Sequence, residues 1–351
     1  MGKRIVIMAG GTGGHVFPAL AVAQWFLDNG WDVSWLGTHK GLESKVVPEK
    51  GIEIDWLSVA GVRGKGLISK VSSVFKLIKA CGQAFMILRR RKPDVVLGMG
   101  GFVAGPGGLM AKVLGIPLVI HEQNRVPGTT NRLLAKFADQ VLEAFPNSFK
   151  KTANAKCTGN PLRKEFLNQV KEKEAIEGRN IRLLIIGGSQ GAQALNEAIP
   201  DTLSTLQGID VWHQTGAIMQ EHVAKRYIDQ GMKAKATAFI DDMVSAYRWA
   251  DIIICRAGAM TVSEVAAMGL PAILIPLPNA IDDHQMANAR FLSESGAGFI
   301  LPQKELNTKN LIDLITTARL KLDDMVKAAG QCARMDATET VANYCISEVE
   351  R

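Results

Sequence analysis

The sequence predicts an α/β chain folded as two Rossmann-like, doubly wound parallel-sheet domains, and three observations predict it. Near-continuous Val/Ile/Leu runs recur along all 351 residues with helix-length segments between them, the pattern of parallel strands covered on both faces. The two halves open alike, with RIVIMAGGTGGH at 4–15 and RLLIIGGSQGAQ at 182–193, each a strand, a glycine-rich turn and a helix start. An apolar content of 47% over this length is enough for two cores of ordinary size.

Taken in order, the first half offers strands in RIVIMAG (4–10), DVSWLG (32–37), IEIDWLSV (52–59), DVVLGMGG (94–101), PLVIHEQ (117–123) and DQVLEAF (139–145). The second offers IRLLIIGG (181–188), IDVWHQTG (209–216), KATAF (235–239), DIIICRAG (251–258), PAILIPL (271–277) and GFILP (298–302). Between them lies GNPLRKEFLNQVKEKEAIEGRN (159–180), whose second part is polar and charge-dense, as a linker would be. The expected domains are therefore 1–160 and 161–351, with the last helix able to pack back on the first domain. Ligands of open parallel sheets bind beyond the carboxyl ends of the strands, so two such domains facing each other are expected to form a cleft that holds the active site.

Composition narrows the partners. No stretch approaches 18 uninterrupted apolar residues, and MGKRIVIMAGG turns to glycine too soon for a signal peptide, so a cytoplasmic start is expected. Cys81, Cys157, Cys255, Cys332 and Cys345 are scattered without a C-x-x-C pair, which argues against a disulfide framework or a zinc site. Residues 1–160 hold 21 Lys+Arg against 10 Asp+Glu, while residues 161–351 hold 20 against 24. A cationic half joined to a mildly acidic one suits a phosphorylated substrate, an anionic lipid or a nucleic acid.

The opening loop, MAGGTGGHVFPAL at 8–20, excludes the two commonest phosphate motifs. The dinucleotide fingerprint needs a third glycine where Val16 stands, and no G-K-[ST] triplet follows. Three more glycine-rich loops follow apolar runs: GMGGFVAGPGG (98–108), GGSQGA (187–192) and CRAGAMTVSEVAAMG (255–269). Backbone N–H groups and a helix N-terminus at each can contact an anion without side-chain charge. Tight turning alone explains glycine in one such loop; four at corresponding positions point to two phosphorylated substrates. In the last loop, Thr261 and Ser263 are placed at a helix start, where they either cap backbone donors or meet a phosphate. Glu264 is placed in the first turn, where it favours the helix dipole or accepts from ribose hydroxyls.

Together MAGGTGGHVFPALAVA, DVVLGMGGFVAGPGG, HEQN, AFP, GNPLR, GGSQGA, FIDDM and CRAGAMTVSEVAAMGLPAILIPLP resemble family-28 glycosyltransferases of the GT-B fold, over residues 4 to about 345. The members that these motifs resemble transfer N-acetylglucosamine from UDP-GlcNAc to undecaprenyl-pyrophosphoryl-MurNAc-pentapeptide, turning lipid I into the disaccharide lipid II of peptidoglycan. The resemblance implies inversion at the anomeric carbon and attack by the 4-hydroxyl of MurNAc. It implies donor contacts at Thr12, Gly13, Gly14, Asn124, Arg163, Ser189 and Ile240. A uridine and diphosphate site is implied at Ala259, Met260, Thr261, Val262, Ser263 and Glu264, with Glu264 on the ribose and Gln285 on the sugar. The stretch LPNAIDDHQMANA departs from the family pattern by one extra residue, with His284 where a second glutamine is expected. Cell-wall or division proteins are further partners that the resemblance suggests.

One base suffices for an in-line displacement, and His15, ending the first glycine loop, is the first candidate, with Glu122 of HEQN as its rival. The bland role for His15 is a hydrogen bond to the leaving diphosphate or to its own loop. HEQNR lacks the second histidine of a zinc motif, and no D-x-D triplet occurs, so transfer without a metal or other cofactor is expected; activity abolished by chelator and restored by a divalent ion contradicts this. Gly100, Gly101, Gly105, Gly107 and Gly108, with the opening loop, are the expected cradle of the acceptor diphosphate.

Between Asp55 and Asp94 there is no acidic residue, but Arg63, Lys65, Lys70, Lys76, Lys79, Arg89, Arg90, Arg91 and Lys92 occur. Among them Leu67, Ile68, Val71, Val74, Phe75, Ile78 and Phe85 recur at near-helical spacing. Such a basic amphipathic helix either packs on the sheet or lies in the headgroups of an anionic membrane, on the cytoplasmic face of the inner membrane if the resemblance holds. Few aromatics are interleaved, so nucleic acid is not expected. Two rival readings stand beside the transferase: a UDP-GlcNAc 2-epimerase of the same architecture, and a membrane-binding module that senses a nucleotide sugar.

Overall fold

The structure is a computed structural model that describes residues 2–58, 67–167, 178–188, 192–278 and 283–351. The chain folds as two compact units, Met1–Arg163 with Arg334–Arg351, and Lys164–Ala333. The chain thus crosses from one unit to the other after Arg163, three residues beyond the expected divide, and returns at Arg334 to add its last helix to the first unit.

The first unit carries a seven-stranded, wholly parallel sheet in the order β3-β2-β1-β4-β5-β6-β7. Its strands are β1 (Arg4–Met8), β2 (Asp32–Gly37), β3 (Glu53–Trp56), β4 (Val95–Gly98), β5 (Leu118–Glu122), β6 (Gln140–Glu143) and β7 (Lys156–Cys157). Helices α1 (Gly13–Asp28), α2 (Glu43–Val46), α3 (Leu67–Arg91), α4 (Ala104–Val113), α5 (Thr129–Leu134) and, from the chain's end, α14 (Ala337–Val349) cover it.

Both faces of this sheet are buried, which is why its strands lack polar alternation. Ile5 and Ile7 of β1 face Val16, Ala19, Ala23 and Phe26 of α1 and Val341 and Cys345 of α14. Their neighbours Val6 and Met8 point the other way, into a second core with Ala84 and Leu88 of α3 and Ala104 and Ala111 of α4. Burial of each such aliphatic side chain contributes roughly 1.5–3 kcal/mol, so the alternation along β1 fastens a helical layer to each face.

The second unit repeats the plan with six parallel strands in the order β10-β9-β8-β11-β12-β13. These are β8 (Ile181–Ile186), β9 (Ile209–Gln214), β10 (Ala234–Thr237), β11 (Ile252–Cys255), β12 (Ala272–Leu274) and β13 (Gly298–Ile300). Around them lie α6 (Lys164–Leu167), α7 (Gln193–Leu203), α8 (Gln220–Asp229), α9 (Met243–Trp249), α10 (Ala259–Ala267), α11 (His284–Glu294), α12 (Thr308–Leu320) and α13 (Leu322–Cys332). Ile181, Leu183 and Ile185, on one face of β8, join Ile252, Ile254 and Ile273 in its core.

In each unit the strand order reverses once, between β1 and β4 and between β8 and β11. Successive connections there leave toward opposite faces, so their loops part and open a crevice at the carboxyl ends. The glycine-rich loops after β1, β4, β8 and β11 are the four loops that flank these two points.

Candidate active site

In the first unit the loop after β1 is held in shape by backbone and by one buried carboxylate. Gly11 adopts φ +99°, which a side chain resists, and its amide donates to Glu43 Oε2 at 2.9 Å. Thr12 is the N-cap of α1, yet its hydroxyl makes no capping bond, and the first intrahelical bonds are His15 N and Val16 N to Thr12 O. The amides of Gly13 and Gly14 therefore remain available at a helix N-terminus. Gly101 from the loop after β4 lies directly on this turn: a Cβ there would come within 2.3 Å of Gly10 O.

The five glycines expected to cradle the acceptor diphosphate divide. Gly100 and Gly101, with φ +98° and +80°, form the loop, and Gly105 sits in the first turn of α4. Gly107 and Gly108 are buried within α4, and a Cβ on them would meet Met8 Sδ at 2.2 Å and Leu134 Cδ2 at 2.9 Å. The Gly107 amide is already bonded to Val103 O. The lack of a side chain at these two positions lets α4 approach β1 and α5.

His15 lies in the first turn of α1, half-buried, with its Nδ1 2.7 Å from Gln123 Oε1. Glu122, the rival base, ends β5 and is 1% exposed. Its Oε1 accepts from Asn124 N and Nδ2, and its Oε2 from Gly128 N and Asn131 Nδ2, at 2.9–3.2 Å. Four donors around a buried carboxylate make it the anchor of the β5–α5 loop. Asn124 rides on that anchor. Arg163 ends the first unit, its guanidinium 5.9 Å from the Phe17 ring centroid on α1.

In the second unit α10 begins at Ala259, after three residues that follow the end of β11, with Gly258 as N-cap in extended conformation. Its first intrahelical bond is Val262 N to Gly258 O, so the Ala259, Met260 and Thr261 amides precede the ladder and can receive an anion. Neither Thr261 nor Ser263 is the cap residue, because that position falls to Gly258, ahead of both. Glu264 falls in the second turn rather than the first, half-buried, and accepts from the Tyr247 hydroxyl at 3.0 Å. Val262 is fully buried and serves the core.

Gln285, in the first turn of α11, accepts through Oε1 from Leu277 N at 2.9 Å and Ala257 N at 3.2 Å, joining the loops after β12 and β11. Arg256 in the same loop bonds Ile275 O and Gln303 Oε1, and burial lowers its pKa. Ile240 is half-buried in the connection from β10 to α9. Ser189 lies outside the described residues. Among the described residues no three His, Cys, Asp or Glu side chains group as metal ligands would.

Sequence reasoning passes over Glu43, Gln123 and Tyr247, and weighs His121 only as the first histidine of an absent zinc motif; each has a partner beyond its own motif. Gln123 stands inside the HEQN motif, between two more conspicuous neighbours.

On α3, Ala80, Ala84 and Leu88 are buried at four-residue spacing, while Phe75 (69%), Ile78 (62%) and Met86 (66%) are exposed beside exposed Lys76 and Lys79. Arg91 pairs with Asp55 at 2.7 Å and also with Glu53, and Arg90 pairs with Asp55, so these two cations are held by acidic partners on β3. Arg63 and Lys65 lie outside the described residues. Among the described residues no helix is long and apolar enough to cross a membrane.

The chain matches the glycosyltransferase family 28 N-terminal domain over residues 5–143 and the glycosyltransferase family 28 C-terminal domain over residues 182–342. It is 56% identical, over 99% of both chains, to the UDP-N-acetylglucosamine--N-acetylmuramyl-(pentapeptide) pyrophosphoryl-undecaprenol N-acetylglucosamine transferase of Methylococcus capsulatus. Among solved structures it resembles Acinetobacter baumannii MurG, at 40% identity and a TM-score of 0.86 over 98% of this chain and 99% of that one. A UDP-GlcNAc 2-epimerase from Neisseria meningitidis shares the fold alone, at 14% identity and a TM-score of 0.67 over 98% of this chain and 100% of that one. Two parallel-sheet units, each matching its own half of one family, lead to a single assignment: the chain belongs to glycosyltransferase family 28 and has the GT-B fold.

Proposed function

We propose that the protein transfers N-acetylglucosamine from UDP-GlcNAc to the 4-hydroxyl of MurNAc in undecaprenyl-pyrophosphoryl-MurNAc-pentapeptide, with inversion. The observation that carries this reading is the 56% identity with the named transferase across both units; the epimerase shares only a fold. The uridine diphosphate rests on the amides at the start of α10, where the helix dipole offsets negative charge that grows as UDP leaves. Glu264, oriented by Tyr247, accepts from the ribose hydroxyls. Within the first unit, Arg163 and the amides of Gly13 and Gly14 are donors suited to phosphate.

His15 accepts the proton of the attacking hydroxyl, and Gly100, Gly101 and Gly105 approach the acceptor's pyrophosphate. The polyprenyl chain keeps the acceptor in a bilayer, so the exposed Phe75, Ile78, Lys76 and Lys79 of α3 meet the anionic cytoplasmic face of the membrane. Incubation with UDP-GlcNAc, with and without a lipid-linked muramyl acceptor, tests the reading. Acceptor-dependent release of UDP with formation of the disaccharide lipid is expected; acceptor-independent formation of N-acetylmannosamine would instead identify an epimerase.

A further inference from the structure

Four groups in the first unit form a directional hydrogen-bond chain that ends on His15. A carbonyl oxygen only accepts, so Gly159 O, 2.9 Å from His121 Nε2, places the His121 proton on that nitrogen. The ring is wholly buried and desolvation pushes its pKa down to about 4, so it is neutral and its Nδ1 carries a lone pair. That lone pair faces Gln123 Nε2 at 3.0 Å, and the same nitrogen gives its other proton to His121 O at 3.1 Å. With both amide protons committed to acceptors, Gln123 Oε1 is turned toward His15 Nδ1 at 2.7 Å. Oε1 can only accept, which requires a proton on His15 Nδ1 and leaves the lone pair on Nε2.

We infer that the Gly159–His121–Gln123 chain fixes the tautomer of His15, making Gln123 and His121 positioning residues that deliver the base at Nε2. The inference rests on the assignment of His15 as base. In the step it serves, His15 Nε2 takes the proton of the acceptor hydroxyl while that oxygen bonds to the anomeric carbon. The bond from this carbon to the β-phosphate oxygen breaks, and its electron pair leaves with UDP. The imidazolium keeps its Nδ1–H on Gln123 throughout, and its Nε2 proton passes to solvent at the end of the turnover. A neutral amide does for this ring, without adding charge, what a buried carboxylate does in hydrolytic triads.

The tautomer is directly readable. Long-range proton–nitrogen spectra of the full chain labelled with nitrogen-15 histidine, recorded above neutral pH, resolve the rings of the six histidines, and His15→Ala identifies the His15 signals. A protonated Nδ1 on His15 is expected in the native chain, and a shift toward protonated Nε2 in Gln123→Met. Turnover in Gln123→Met should fall by about 10²-fold or more, as for a wrongly protonated catalytic histidine, with KM for UDP-GlcNAc changing less than about threefold. Gln123→Glu, which keeps an acceptor for Nδ1, should recover part of the loss. A native His15 protonated at Nε2, or a Gln123→Met enzyme with native kcat, overturns the inference. A His15→Ala enzyme with near-native kcat overturns the assignment of the base instead; the native spectrum reports on the tautomer whether or not any variant folds.

Discussion

Glu43 holds the amide of Gly11 at 2.9 Å from its Oε2, from a position with no exposed surface. Its other oxygen accepts from the amide and hydroxyl of Thr38 at 2.9 and 2.7 Å. Three glycines crowd it: a Cβ on Gly10, Gly37 or Gly41 would come within 2.7, 2.8 and 1.9 Å of its side chain. The loop that carries Thr12 to His15 is therefore built around one carboxylate. Glu43→Gln turns one acceptor into a donor facing donors, and should cost about 2–3 kcal/mol of stability, read as a lower denaturation midpoint. A variant as stable as the native chain would show that the loop stands without it.

The sheets are legible in the sequence because strands buried on both faces read as continuous apolar runs, and those of β1 and β8 are followed by their own glycine turns. β7 is not: its two residues, Lys156 and Cys157, are exposed and pair only with β6. Capping preference points to Thr261 and Ser263, but the chain leaving β11 enters α10 at once, with Gly258 at the cap. The motif does not reveal Met8 and Leu134 packed behind Gly107 and Gly108. The partnership of His15 with Gln123 spans 108 residues, and no local pattern announces it.

Removal of the proposed base should cost more than removal of any residue that merely borders it. His15→Ala is expected to lower kcat by about 10²–10⁴-fold while UDP-GlcNAc still binds. Glu122→Gln, by contrast, should reduce stability through the β5–α5 loop. Equal losses of kcat with unchanged stability in both would return Glu122 to the chemistry.

Tyr247 and Glu264 should divide between orientation and binding. Glu264→Gln is expected to raise KM for UDP-GlcNAc by about 10-fold or more, because a charged acceptor for two hydroxyls becomes a neutral one. Tyr247→Phe leaves the carboxylate but frees its rotamer, so a smaller rise in KM is expected. A Glu264→Gln enzyme with native KM would remove the ribose role.

Acid should destabilise both units through one buried imidazole each. Loss of hydration pushes His121 down to about 4 and His213 to about 3, from a usual value near 6.5. Between the folded and unfolded values the unfolded chain binds the extra proton, so stability rises with pH. The contribution is complete above about pH 6.5 and is lost as pH falls, at about 1.4 kcal/mol per unit for each residue. Denaturant midpoints measured downward from about pH 7 should decline, and His213→Gln should flatten the decline in the second unit. An unchanged slope in that variant would assign acid sensitivity to other groups.

Membrane contact through α3 should depend on position, not on total charge. Lys76 and Lys79 stand beside exposed Phe75 and Ile78, whereas Arg90 and Arg91 are held by Asp55 and Glu53. Each cation near an anionic surface contributes roughly 1 kcal/mol, so changing both lysines to glutamate should weaken binding to anionic vesicles by about 30-fold or more. The same charge change at exposed Lys150 and Lys151, next to β7, is the control and should do much less. Added salt should weaken native binding, since surface charges are screened within about 10 Å at 0.1 M. Activity on a short-chain, water-soluble acceptor should survive the α3 changes, because they leave the loops after β1 and β4 untouched. Equal loss of vesicle binding in both double variants would mean that the protein's overall charge, rather than this helix, meets the lipid.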